Sequence, residues 1–427
     1  MYFKVQILIA LLKLRANKWW YKNRLDKLQE KRWNRLQNEL LKSPFYKENV
    51  LNRMPLQRYP LMNKSEFMSN FDVINTVGIT SSEAMEVAIK AEDLRDFSPT
   101  IKDITIGLSS GTSGNRGIFM ASQKERANWV ACVLDRIIGF RLKKRSVAFF
   151  LRANSNLYSS ITSKVLRFEF FDILGQLDSY IVKLNSLQPT ILVAQPSILI
   201  ELAVYIEKGI LSISPSKVIS VAEVLSPEES KYLKSVFQQT IHQVYQCTEG
   251  LLAATCSKGN LHFNDDFLII EKKYIDSEKK RFHPVITDLL RTTQPVIRYE
   301  LNDIIHEKAY CPCGSKHSAI EKIEGRSDDV LFFKSDQNEK IRVYPDFIRR
   351  EIILAHPSIN DFTIVQKTDS HLELYIAQSE YYSLAEKRLQ TFLKSQGINE
   401  VLIQQSFLKN HTQGNKLRRV QNEQKEN

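Results

Sequence analysis

From Ser146 to Gln246 the chain alternates strand-like and helix-like segments. SVAFFLRA (146–153), FEFFDIL (168–174), TILVAQ (190–195), KVISVAEVL (217–225) and IHQVYQ (241–246) read as strands. After TILVAQ, Pro196-Ser197 caps a helix, SILIELAVYIEKG. After KVISVAEVL, Ser226 is the N-cap, Pro227 takes the first helical position and Glu229 stands three residues on from the cap. Alternation at this spacing predicts an α/β architecture with a mostly parallel sheet and covering helices. In such sheets ligands sit at the carboxyl ends of the strands. A chain of 427 residues exceeds one ordinary core, so further units are expected. The C-terminal texture differs. Pro345 precedes a helix, DFIRREIILA; DFTIVQ and LELYIAQ read as paired strands; a helix over 384–394 and the strand VLIQQSF follow. These predict a small α+β unit of about 100 residues. The expected boundary divides a large N-terminal domain, 1–325, from a small mobile one, 326–427.

Apolar content of 43% and charged content of 25% exclude bulk disorder. The net charge of +12 could favour a polyanionic ligand, but no dense basic block interleaved with aromatics stands out. Nucleic acid is therefore not an expected partner. Cys132, Cys247, Cys256, Cys311 and Cys313 are too few and too unevenly spread for a disulfide scaffold. A reducing, cytoplasmic setting is expected. The apolar run from Val5 to Leu12 is too short to span a bilayer. It reads as a first helix packed on the body. Trp19, Trp20 and the surrounding Lys and Arg also allow a peripheral membrane contact. Residues 21–42 read as a second helix, with Leu25, Leu28, Trp33, Leu36 and Leu40 on one stripe.

Gly107 to Gly117, GLSSGTSGNRG, holds four of the chain's 14 glycines. Glycines let backbone N–H groups turn inward, Ser and Thr add donors, and Arg116 adds charge, as a phosphate cradle requires. The same composition suits a linker. No Gly-Lys-Ser/Thr follows, so the loop is not of the Walker type.

Further stretches follow in order: YQCTEG (245–250), VIRYELND (296–303), IEGRSDD (323–329) and HTQGNKLRR (411–419). Together with the glycine loop they resemble the core motifs of the adenylate-forming superfamily, and most of all its phenylacetate–CoA ligase-like branch. FLRANSNLYSS, SVAEVL, YQCTEG and TDLLRTTQPVIRYELND carry a narrower likeness to enzymes related to the archaeal synthetase that adenylylates a deazaflavin coenzyme. The likeness runs from Pro44 to Val420. It implies that Ser110, Gly111, Thr112, Ser113 and Gly114, with Arg116 beside them, hold the β- and γ-phosphates of ATP. It implies that Thr248 donates to the α-phosphate and that Glu249 holds Mg2+. Tyr245 would face adenine, with Ala222 and Glu223 lining the base. Asp303 and Arg326 would bind the ribose, and Asp328 would be the interdomain hinge. Lys416 fits the family pattern T-x-x-G-K-x-x-R except that Asn415 replaces the glycine; it would neutralise charge during adenylation. The glycine loop departs as well, with Asn115-Arg116 and then Gly117, one residue shorter than the usual proline-lysine pattern.

Cys256 and His262 form C-x5-H, and Cys311 and Cys313 form C-x-C. Three thiolates and an imidazole make an ordinary structural zinc set, with His317 as a competing ligand. The similar CPCG segments of the phenylacetate–CoA ligase branch support it. Cys132 and Cys247 read as buried hydrophobes. The expected activity is ATP-dependent activation of a small-molecule carboxylate as an acyl-AMP. Transfer to a thiol, by family default coenzyme A, or to an amine would follow. The alternatives are adenylylation of a hydroxyl and nucleotide binding without catalysis. Phe149, Arg152, Asn154 and Tyr158 are candidates for lining the acyl pocket. The oligomeric state is open.

Overall fold

The computed structural model describes every residue except 1, 95, 97, 110–116, 140–143, 152–165, 174, 327–328, 335–339, 357, 360, 408–417 and 425–427. All five strands expected between Ser146 and Gln246 form, as Arg145–Leu151, Leu166–Asp172, Ile191–Ala194, Lys217–Ser220 and Ile241–Cys247. They pair in parallel within one 12-stranded sheet, with Leu166–Asp172 at its edge. Beyond these strands the same sheet turns antiparallel, which makes it mixed as a whole. Gly250–Thr255, Leu261–Phe263, Ala319–Arg326, Asp303–Lys308, Arg281–Asp288 and Leu268–Tyr274 pair antiparallel. Several of these connections are hairpins, which return the chain antiparallel where a crossover helix would return it parallel. Strand Ile241–Cys247 is the divide, parallel to Lys217–Ser220 on one side and antiparallel to Gly250–Thr255 on the other.

Two helix starts show how local sequence positions the elements. Ser226 accepts from the Glu229 N–H while the Glu229 carboxylate accepts from the Ser226 N–H, a complete capping box with Pro227 in the first turn. The helix Pro196–Glu207 begins differently. Gln195 is its N-cap residue and supplies no side-chain cap, and Ser197 lies inside the helix. KVISVAEVL is also shorter as a strand, because the chain leaves the sheet after Ser220 and Ala222 adopts a left-handed φ of 69°. The second helix forms over Leu25–Leu40, burying Leu28, Leu36 and Leu40.

The apolar side chains segregate into separate cores. One lies under the N-terminal helices and the antiparallel half of the large sheet, and includes Leu36, Tyr59, Phe263 and Ile286. A second joins the parallel strands to the helices Pro196–Glu207 and Pro227–Phe237 through Phe150, Leu192, Leu199 and Leu233. A small sheet of Thr100–Ile101, Ile104–Leu108 and Ile118–Ala121 packs Ile104, Ile106 and Met120 against Ala84 and Ala88. The last core is drawn wholly from Leu331 to Val420. There a four-stranded sheet, ordered Leu402–Gln405, His371–Ile376, Phe362–Thr368, Val420–Asn422, packs with the helices Pro345–Ile353 and Tyr382–Ser395. Among the described residues no helix is long and apolar enough to cross a membrane.

Candidate nucleotide site and metal centre

The dividing strand of the large sheet ends at Cys247, and the turn Thr248-Glu249 follows it. Tyr245, near its end, is buried and donates its hydroxyl to the Asp303 carboxylate. Asp303 opens its own strand and pairs across the ladder with Arg326, whose Nε lies 3.9 Å from Asp303 Oδ1. Burial and the Asp303 charge push the Tyr245 phenol well above its ordinary range, so it stays a donor. Tyr245, Asp303 and Arg326 are thus brought together. The Tyr245 hydroxyl is engaged with the very carboxylate expected to bind ribose.

A second group adjoins the first. Thr248 Oγ1 donates to Glu249 Oε2 at 3.0 Å, and the Tyr299 hydroxyl donates to Glu249 Oε1 at 2.9 Å. Burial and then the Glu249 carboxylate push the Tyr299 phenol up. Between the groups, Cys247 is driven well above the ordinary thiol range by burial, then by Glu249 and Asp303. This holds Cys247 as the neutral thiol. Burial likewise pushes Cys132 up to about 12.

Glu223 has an unexpected attachment. Its carboxylate accepts from the Ser197 N–H at 3.3 Å and from Ser197 Oγ at 3.2 Å, at the start of the helix Pro196–Glu207. It therefore serves as the missing cap and fixes the Ala222-Glu223 loop beyond the strand Lys217–Ser220. Ser110, Gly111, Thr112, Ser113, Gly114 and Arg116 lie outside the described residues, as do Asp328 and Lys416. Arg152, Asn154 and Tyr158 do too; Phe149 is half-buried in the strand Arg145–Leu151. The stem of the glycine loop is described. Strands Ile104–Leu108 and Ile118–Ala121 form a hairpin, and Ser109 N–H donates to Gly117 O while Gly117 N–H donates to Ser109 Oγ, each at 2.7 Å.

A polar network that the sequence reading missed joins this stem to Thr248. Gln294 accepts from the Met120 N–H and donates to Ile118 O, gripping the strand that leaves the loop. Arg291 donates to Gln294 Oε1 and to Thr248 O, both at 2.8 Å. Glu125 is buried and accepts from the N–H and hydroxyl groups of Thr292 and Thr293 and from Ser122. Burial opposes its charge, but Thr293 and Ser122 hold its carboxyl below the usual range. Beside them, burial raises Asp288 to about 6. A Cβ on Gly250 would stand 3.1 Å from Asp288 Oδ2, so the turn after Glu249 has little room for a side chain. The Ser122-x-x-Glu125 capping box was a visible signal for Glu125. Nothing local marked Thr292 and Thr293 as its partners.

The C-terminal core meets the helix Pro227–Phe237 through buried charge. Arg419 and Arg349 approach the Glu229 carboxylate at 3.0 and 3.3 Å, and Arg349 also donates to Val224 O. Burial disfavours the Glu229 charge, yet Arg419 and then Arg349 hold its carboxyl below the ordinary range. Next to Arg419, Arg418 pairs with Asp329.

Cys256, His262, Cys311 and Cys313 converge, with their ligand atoms all within 4.8 Å of one another. Cys256 follows the strand Gly250–Thr255, His262 lies in Leu261–Phe263, and the other cysteines stand between Asp303–Lys308 and Ala319–Arg326. His262 Nδ1 is 2.9 Å from His317 O, which assigns the proton to Nδ1 and leaves the Nε2 lone pair facing Cys313 Sγ at 3.4 Å. His317 points elsewhere, with its Nδ1 on Phe263 O at 3.0 Å. It does not compete. Burial works against a Cys311 thiolate, but the Cys313 N–H and the His262, Cys313 and Cys256 side chains bring it down to about 6. The donor set, tautomer and closed geometry fit a structural zinc ion.

No protein-family model matches the sequence. Protein CapK of Staphylococcus aureus is 29% identical over 157 residues, and this match spans 36% of the chain and about a third, 34%, of that protein. Among solved structures, a 2-hydroxyisobutyryl-CoA ligase in its postadenylation state is similar with a TM-score of 0.66 and 16% identity, covering 92% of this chain and 89% of the other. The chain has the fold of the adenylate-forming ligases. The same ligase in its thioesterification state gives 0.55 at 17% identity, covering 94% and 91%. ATP-bound MatB from Rhodopseudomonas palustris gives 0.52 at 14% identity, covering 72% and 65%.

Proposed function

We propose that the protein is an ATP-dependent adenylate-forming enzyme. A substrate carboxylate oxygen attacks the α-phosphorus, the bond to the bridging oxygen breaks, and pyrophosphate leaves to give an acyl-AMP. The observation that carries this reading is the convergence of Tyr245, Thr248, Glu249, Asp303 and Arg326 at the strand where the sheet changes from parallel to antiparallel. Asp303, an ionised acceptor, receives the ribose hydroxyl protons, with Arg326 beside it. When nucleotide binds, the Thr248 hydroxyl turns from Glu249 Oε2 and donates to the α-phosphate. Glu249 is a half-buried oxygen ligand suited to Mg2+; each of its oxygens already accepts one O–H and keeps a second lone pair. Lys416 neutralises the α-phosphate and the attacking carboxylate, and Ser110 to Gly114 with Arg116 grip the leaving pyrophosphate. The division falls at the end of the strand Ala319–Arg326, close to the expected 325/326 boundary, with Asp328 as the hinge. After rotation of the small domain a thiol, coenzyme A by preference, or an amine attacks the acyl carbon, the bond to the phosphate oxygen breaks, and AMP leaves. Zinc held by Cys256, His262, Cys311 and Cys313 is structural, pinning two hairpins.

The test is ATP–pyrophosphate exchange over a panel of carboxylates, with Lys416→Ala alongside the wild type. Carboxylate-dependent exchange that Lys416→Ala lowers by about 100-fold or more is expected. ATP binding without exchange on any carboxylate would overturn the acyl-AMP assignment, and absence of ATP binding would overturn the nucleotide site itself.

A further inference from the structure

The first helix, Tyr2–Trp20, is apolar on both sides. Its inner side buries Ile7, Leu11 and Leu14, with Arg126 of the helix Gln123–Cys132 over the Phe3 ring. That contact accounts for only one face. At 3.6 residues per turn, Val5, Leu8, Ile9, Leu12, Trp19 and Trp20, with Tyr2 beside Trp20, fall on one outward arc of about 120°. All are exposed, Leu12 by 59%, Trp19 by 72% and Trp20 by 70%. Other large exposed apolar side chains among the described residues are spread along the rest of the chain. Scattered apolar groups need no explanation, whereas a continuous strip along a helix marks a contact surface.

The rim of the strip identifies the contact. By the same helical geometry Lys4 and Arg15 flank it on one side and Lys13 on the other. Lys18 lies further round, and Asp135 is 3.0 Å from Arg15 and 3.9 Å from Lys18. The helix itself carries no acidic residue; the first in the chain is Asp26, and Lys22 and Arg24 come before it. Two copies meeting strip to strip would bring these basic rims together. A bilayer with anionic headgroups presents the opposite charge around an apolar interior. Tyr2 at one end and Trp19-Trp20 at the other are side chains that settle at the headgroup level. Helix Tyr2–Trp20 does not meet the length and apolarity needed to cross a bilayer.

We infer that the outward face of the first helix docks the protein onto an anionic phospholipid surface, with the helix lying in the interface plane. This docking is independent of the proposed chemistry. In vesicle flotation, the full chain should float with phosphatidylcholine–phosphatidylglycerol vesicles, float poorly with phosphatidylcholine alone, and be released by salt. Leu8→Glu/Leu12→Glu and, separately, Lys4→Glu/Lys13→Glu should each reduce partitioning by about tenfold or more, with unchanged thermal melting because these side chains face outward. Asp303→Asn, which disables the proposed nucleotide site, should float like the wild type. Wild-type protein that remains unbound with both vesicle types would overturn the inference. So would a concentration-dependent dimer that Leu8→Glu/Leu12→Glu dissociates, which would assign the face to a second copy.

Discussion

Replacing Glu229 by Gln tests the contact between the C-terminal core and the helix Pro227–Phe237. The Glu229, Arg419 and Arg349 side chains are only 6, 7 and 10% exposed, so little solvent screens them. Removing one partner of such a buried cluster destabilises by about 3–5 kcal/mol, because the remaining charges stay desolvated. Gln can still serve in the capping box with Ser226, so the helix start is preserved. Gln also still accepts one hydrogen bond from an arginine, which places the effect near the lower end, about 3 kcal/mol, or roughly a hundredfold in the docking equilibrium. Ser226→Ala is the control, since it removes only the cap, about 1 kcal/mol. Amide hydrogen exchange read by mass spectrometry should show faster exchange in Pro345–Ile353 and Val420–Asn422 for Glu229→Gln and little change there for Ser226→Ala. Arg419→Gln should be non-additive with Glu229→Gln. Unchanged exchange in both segments, with stability within about 0.5 kcal/mol of the wild type, would refute the reasoning.

Three further outcomes are expected. Purified protein should contain stoichiometric zinc by elemental analysis, and Cys311→Ser should lose the metal and melt at lower temperature; absence of zinc from a well-folded preparation would remove the site. Asp303→Asn should weaken ATP binding by about 10- to 100-fold in calorimetry, the range for hydrogen bonds to a charged acceptor. Asp288 should make the wild type lose stability as pH rises. Its carboxyl is raised to about 6 when folded, so its favourable contribution is complete below the unfolded value near 4 and is lost on passing 6. Asp288→Asn should abolish that slope in denaturant melts between pH 4 and 7 and be more stable at neutral pH, by at most about 3 kcal/mol.

The parallel half of the large sheet was legible because each strand and its following helix carry their signals locally, as at Ser226-Pro227-Glu228-Glu229. The antiparallel half was not read as such, since hairpin pairing between Asp303–Lys308 and Ala319–Arg326 depends on partners that no short run specifies. The convergence of Cys256, His262, Cys311 and Cys313 was legible as spacing, yet setting His317 apart from them required the backbone carbonyls that orient the two rings. Glu229 illustrates the limit. Its cap role is written three residues from Ser226, while its arginine partners stand far along the chain at 349 and 419. Glu125 likewise shows its cap in sequence and hides its bonds to Thr292 and Thr293.

The grip of Gln294 and Arg291 on the strand after the glycine loop gives the site the mechanics of a caliper. One jaw is the turn at Thr248, and the other is Ile118–Ala121, riveted to it through Met120, Ile118 and the Thr248 carbonyl. Such a frame does not slide. The stem at Ser109 and Gly117 is thereby held at one spacing from the turn at Thr248, and a ligand between the two must fit that spacing.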